Sequence, residues 1–167
     1  MNNNQTHRFL SELINHGRYL AWAEQAHETW RQTKLSQGWS YGPTRDNTQK
    51  TNPGLKPFAD LSPAARGQNS LTPYAVVNFF RVYAADKTLA ELEDMLAALV
   101  QGQTPDLLEQ LGEYVHSHFL AAQLAKGETI DTRTDMLVYE ALDAEAKSWD
   151  TQSALEVIKF LRQEIAG

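Results

Sequence analysis

Between Lys34 and Lys50 the chain concentrates aromatic and cationic side chains, Lys34, Trp39, Tyr41, Arg45 and Lys50, spaced by Gly38, Gly42 and Pro43. Trp39 and Tyr41 are two residues apart, so an extended segment puts both rings on one face, where they could form a stacking platform for a base. Arg45, Lys50 and Lys34 offer charge for phosphates, the arginine through its fork of donors. The same residues have a structural reading. Trp30 and Trp39 are large enough to be core, Arg45 and Asp46 can tie the loop to itself, and Gly42-Pro43 can shape a turn. His27 fits a hydrogen bond to the loop better than a titrating role.

The breakers between Trp39 and Leu61 exclude a regular helix and predict a long ordered loop holding one short strand. Long loops inside compact domains often carry function. The elements that must hold this loop are helical. Apolar residues recur at helical spacing from Phe9 to Leu35, interrupted at Gly17, and the second helix ends near Gly38. Ser62-Pro63 and Thr72-Pro73 read as helix starts, with helices to about Tyr83. Lys87-Thr88 opens a helix through Val100, and Thr104-Pro105 opens another to Lys126 before Gly127. Residues 128–139 read as loop, with a strand at Met136–Tyr139. Asp143 caps a last helix with a stripe of Leu155, Ile158, Phe160, Leu161 and Ile165. The fold class is mainly α with short β-strands.

A repeat is also legible. Sliding His27-Glu28-Thr29-Trp30 onto His116-Ser117-His118-Phe119 sets Leu35 on Leu124, Gly38 on Gly127 and Asp46 on Asp135 without a gap. Removing Asn47 to Gly54 then sets Phe58 on Tyr139, Leu61 on Leu142, Arg66 on Lys147, Val76 on Val157 and Phe79 on Phe160. The expected organisation is two helix, loop, strand, helix units, residues 1–84 and 85–167, packed as one body about a pseudo-twofold with their strands able to pair across it. The second unit lacks counterparts of Trp39, Tyr41 and Lys50.

The 167 residues are 42% hydrophobic and 22% charged with net charge -6, which suits an ordinary globular chain. Nine Lys/Arg accompany five Asp/Glu in residues 1–84, and six accompany sixteen in residues 85–167. Basic residues mixed with acids favour a small anionic ligand over a nucleic-acid polymer. Zero cysteines exclude disulfides and thiolate metal sites. His116 and His118 do not share a helix face, so no metal site is expected. No apolar run reaches the length of a membrane span, and a cytoplasmic protein without cofactor is the expectation.

The residues His27-Glu28-Thr29-Trp30, Gly38-Trp39-Ser40-Tyr41-Gly42-Pro43-Thr44-Arg45-Asp46, Lys50-Thr51-Asn52-Pro53, Leu55-Lys56-Pro57-Phe58, Leu61 and Arg66 closely resemble the ryanodine receptor repeat. That family shows His-Glu-x-Trp, Gly-Trp-x-Tyr-Gly-x-x-Arg-Asp, Lys-x-x-Pro and Pro-[Tyr/Phe]-x-x-Leu. This chain has Lys50-Thr51-Asn52-Pro53 where the family usually has Lys-x-His-Pro. The resemblance implies a tandem pair with a degenerate second copy, of the kind found in small prokaryotic and phage proteins. It implies a regulatory or ligand-sensing module with no established catalytic residues, and it favours an adenine nucleotide or another nucleotide-derived ligand.

The expected function is therefore a non-catalytic module holding a small anionic, nucleotide-like ligand with Trp39, Tyr41, Arg45, Lys50, Lys34, Trp30, His27 and Asp46. The alternative is a protein-interaction or scaffolding module that docks a partner through the acidic half. His27, Glu28 and Asp46, close to one loop, keep a hydrolase of a nucleotide-derived signal as a third class. No phosphate-binding glycine fingerprint, Gly-x-Ser-x-Gly elbow or His-Glu-x-x-His motif accompanies them.

Overall fold

In the computed structural model, which describes residues 4–167, Leu10 and Leu13 of helix α1 (Gln5–Asn15) pack into the same apolar cluster as Leu161 near the far end of the chain. Gly17, at φ 65°, adopts a left-handed conformation that L side chains rarely tolerate, and so separates α1 from α2 (Arg18–Ser36). After α2 come two two-residue strands, β1 (Ser40–Tyr41) and β2 (Thr51–Asn52), then a one-turn 3₁₀ helix at Phe58–Asp60. Helices α3 (Pro63–Asn69), α4 (Leu71–Tyr83), α5 (Leu89–Val100) and α6 (Pro105–Ala125) follow. A second 3₁₀ turn, Tyr139–Ala141, leads into α7 (Ala144–Ala166).

The predicted fold class holds: the described residues are mainly helical with one two-stranded sheet. Helix α4 is its centre. Ala75, Val76, Val77 and Phe80 are fully buried, because α4 packs against α1, α6 and α7 at once. Leu92, Leu96 and Leu99 from α5, Leu111 and Val115 from α6, and Ile158 and Leu161 from α7 complete one cluster drawn from both halves. Trp22 of α2 stacks on Phe160 of α7, with ring centroids 6.2 Å apart.

The helix ends follow from local chemistry. Gly38 (φ 85°) and Gly127 (φ 83°) stand just past α2 and α6. In each case the next amide turns back onto the last helical turn, Trp39 N–H to the Lys34 carbonyl at 3.0 Å and Glu128 N–H to the Gln123 carbonyl at 3.1 Å. Ser62 and Asp143 accept from Ala65 N and Ala146 N and start α3 and α7. Thr88 and Glu91 form a reciprocal capping box on α5.

Three expectations need correction. Thr72 does not start a helix. It is the second residue of α4, and Pro73 is tolerated there because a first-turn position needs no intrahelical N–H donor. The loop after Trp39 carries two strands instead of one, paired in parallel with Ser40 opposite Thr51 and Tyr41 opposite Asn52. Met136–Tyr139 is not a strand, and no strands pair between the halves among the described residues. The reason is a missing partner: β2 lies within Asn47–Gly54, the segment with no counterpart in the second half. Leu137 and Val138 are left exposed and the chain turns into the 3₁₀ helix.

Candidate functional site

In the first half the loop is built around backbone pairing. Ser40 N–H donates to the Lys50 carbonyl at 2.9 Å, and Asp46 and Thr51 exchange two backbone bonds of 3.0 Å. A Cβ on Gly42 would lie 2.6 Å from Thr51 Cβ, so this approach of β1 to β2 requires glycine. The Asp46 carboxylate accepts from Thr48 N and Gln49 N at 2.8 and 2.9 Å, an Asx-type turn. Lys50 holds a left-handed backbone, φ 55°, and its ammonium donates to the Gln37 carbonyl at 3.1 Å. Buried His27 donates from Nε2 to the Lys56 carbonyl at 2.8 Å. Its ring sits between Trp30 and Phe58, at 5.5 and 5.8 Å. Glu28 accepts from Phe58 N–H at 3.0 Å and pairs with Arg31.

Each sequence-predicted residue thus has a place. His27, Asp46 and Lys50 are engaged in holding the loop, and Trp30 is half-buried against Gly54. Lys34 places its ammonium over the Trp39 ring at 5.2 Å, and Lys56 places its own over the Tyr41 ring at 5.6 Å. Tyr41 is 55% exposed. Arg45 is exposed and has no hydrogen bond or ion pair among the described residues. Lys56, unnamed in the sequence-derived ligand set, was detectable only as one more cation between breakers.

In the second half the structure assembles a cleft that the sequence did not announce. It measures about 240 Å³ and lies between α6, α7 and the loop before the second 3₁₀ turn. His116 and Phe119 of α6 form its floor, Arg133 and Asp135 come from the loop, and Trp149 and Asp150 from α7. His116 Nε2 lies 2.6 Å from the Leu137 carbonyl and its Nδ1 lies 3.1 Å from Asp150 Oδ2. Arg133 pairs with Asp135 through two bonds of 3.0 Å, and its guanidinium covers the Phe119 ring at 5.2 Å. His118 points elsewhere, donating from Nδ1 to the Tyr114 carbonyl at 3.1 Å.

The electrostatics separate the carboxyls. Burial pushes the Asp150 carboxyl up to about 6, the adjacent His116 only partly offsetting it and Asp135 adding repulsion. Burial also acts to raise Asp135, but the bonded Arg133 guanidinium overrides it and, with Arg45 adding its field, holds that carboxyl below the usual range. Tyr139 is pushed up by burial and by donating to Glu109 Oε2 at 3.1 Å.

Several contacts recur at the positions that the sequence alignment pairs. His27 and His116 each reach the carbonyl two residues before a 3₁₀ turn, and Leu61 and Leu142 share nearly the same backbone angles just after it. Asn69 Nδ2 donates to the Ala65 carbonyl within its own helix at 3.0 Å, whereas Asp150, the residue the alignment sets opposite it, faces His116 at 3.1 Å.

Residues 9–85 match the family model of the RyR domain. The match takes in most of α1, all of α2, the whole β1–β2 loop, α3 and α4, and shows a likeness of this segment to the RyR domain. It accords with a regulatory or interaction module. Among the described residues no helix is long and apolar enough to cross a membrane.

Proposed function

We propose that this chain is a non-catalytic regulatory module whose first-half loop takes a small anionic, nucleotide-like ligand. One observation carries the reading: two aromatic faces, Trp39 and Tyr41, each with a lysine ammonium against it, are displayed on a loop fixed by its own backbone bonds. A base can stack on such rings while phosphates take the ammonium groups and Arg45, whose donors are uncommitted. Trp30, His27, Asp46 and Lys50 shape that surface. The side chains that a hydrolase would need, His27, Glu28 and Asp46, are already committed to loop hydrogen bonds, which favours binding without turnover. We further infer that residues 85–167 are a degenerate second copy, supported by the recurring histidine, glycine and cap positions, and that the protein works in the cytoplasm.

Thermal denaturation with adenine nucleotides, cyclic nucleotides and ADP-ribose tests the reading. A ligand at about 100 times its dissociation constant stabilises by roughly 2.7 kcal/mol, and Arg45→Ala is expected to reduce that gain sharply. Absence of a shift with every compound would overturn the nucleotide reading and favour a protein partner on the acidic half.

A further inference from the structure

His116 sits in a position that one proton alone cannot satisfy. Its Nε2 faces a carbonyl oxygen at 2.6 Å and its Nδ1 faces a carboxylate oxygen at 3.1 Å, and both partners are acceptors. A neutral imidazole has one N–H. If Nε2 carries it, the Nδ1 lone pair confronts Asp150; if Nδ1 carries it, the Nε2 lone pair confronts the Leu137 carbonyl. Both contacts become favourable only when the pair holds one more proton, as imidazolium with carboxylate or as neutral imidazole with carboxylic acid. The side chains are 3% and 15% exposed, so water cannot readily replace the lost bond.

We propose that His116, Asp150 and the Leu137 carbonyl form a proton-dependent latch, which holds the 128–138 loop onto α6 and α7 while the pair keeps that additional proton. Departure of the proton releases Leu137. The neighbouring charged groups do not supply a substitute. From the loop, Arg133 is already bonded to Asp135, with Arg45 acting on Asp135 from the first half. From the 3₁₀ turn, Tyr139 donates to Glu109, and Glu140 interacts with Glu113. From α7, Lys147 is over the Tyr139 ring at 5.2 Å, and α4 contributes only Thr72 to the cleft. The raised Asp150 carboxyl agrees with a proton retained into mildly acidic solution. The latch is independent of what the first-half loop binds.

Asp150→Asn separates this from a static hydrogen bond. An amide N–H can donate to Nδ1 while Nε2–H keeps the carbonyl, so the variant satisfies both contacts with no additional proton. The experiment is amide hydrogen exchange of the full chain between pH 5 and 8, corrected for intrinsic rate, followed at Met136, Ala141 and Leu142. Wild-type protection at these amides is expected to fall at least several-fold as pH rises, while Asp150→Asn stays flat. Asp60 and Leu61, beside the His27 bond, serve as the flat internal reference. Unchanged wild-type protection across the range, or the same fall in Asp150→Asn, overturns the latch. Should that variant fail to fold, ring-nitrogen NMR shifts of wild-type His116 decide. Loss of one N–H-type nitrogen over the same pH interval supports the latch, and an unchanging pair of shifts refutes it.

Discussion

His27 bonds a carbonyl and packs between two aromatic rings, whereas His116 bonds a carbonyl and also faces a carboxyl group. Both imidazoles are buried, both reach a carbonyl from Nε2, and both precede a 3₁₀ turn and a capped helix. In the first half that bond closes a long loop whose own strand pair provides rigidity, and the charged side chains are pushed to the surface over Trp39 and Tyr41. In the second half no strand pair occurs among the described residues, and two side-chain contacts, His116–Asp150 and Arg133–Asp135, hold the shorter loop. The difference teaches that the same histidine-to-carbonyl contact can stand beside two ways of fixing a loop, backbone hydrogen bonds or side-chain pairing. It also moves the pH-sensitive chemistry away from the half with the exposed aromatic surface.

That contrast is open to measurement by chemical denaturation. His116→Ala leaves the Leu137 carbonyl without its donor and strands the Asp150 carboxylate, and breaking a buried pair in this way costs about 3–5 kcal/mol. His27→Ala orphans only the Lys56 carbonyl, for roughly 1–3 kcal/mol beyond the small cavity it leaves. Equal costs for the two would break the comparison. Gly42→Ala is expected to destabilise by about 1–3 kcal/mol, because its Cβ meets Thr51 Cβ and pushes β1 off β2. Gly67→Ala, in α3 with open space around it, should instead gain about 0.5–1 kcal/mol.

A pH series sharpens the ionic side of the contrast. Burial pushes the folded-state Asp150 carboxyl up to about 6 from an ordinary value of about 3.8, so the folded chain holds more protons than the unfolded one between those values. The contribution is therefore complete below about pH 4 and is lost as pH rises through about 6, at a slope of up to about 1.4 kcal/mol per pH unit. Asp150→Asn should remove that slope from the stability curve, and a variant that keeps it would assign the slope to other groups. The smallest effect belongs to the exposed Arg18–Glu164 pair, where Arg18→Ala should cost under about 1 kcal/mol and less in high salt.

The helices were legible in the sequence because period and punctuation agree: Gly17, Gly38, Ser62-Pro63, Thr88, Gly127 and Asp143 all mark real ends. The first-half loop was legible through its density of glycine, proline and aromatics, and the bonding role of His27 was expected. The false strand at Met136–Tyr139 shows the limit. Four apolar residues satisfy a strand pattern locally, yet a strand exists only where another chain segment offers its backbone, and that segment is absent here. The cleft was illegible for a related reason. His116 and Asp150 lie on α6 and α7, Arg133 and Asp135 between them, and no spacing rule joins residues brought together by tertiary packing alone. The aligned histidines were the available signal, since His27 and His116 each reach a loop carbonyl.

Helix α4 carries one more consequence, for what counts as a separable piece of this molecule. The stretch that resembles an RyR domain ends just beyond α4, yet the far side of α4 is covered by α6 and α7. A fragment cut at residue 85 would strip α6 and α7 from α4, the helix whose Ala75, Val76, Val77 and Phe80 are fully buried in the whole chain. Such a fragment carries an apolar seam that α6 and α7 cover in the whole chain. Boundaries drawn by sequence similarity and boundaries drawn by cooperative folding thus fall in different places along the same polypeptide.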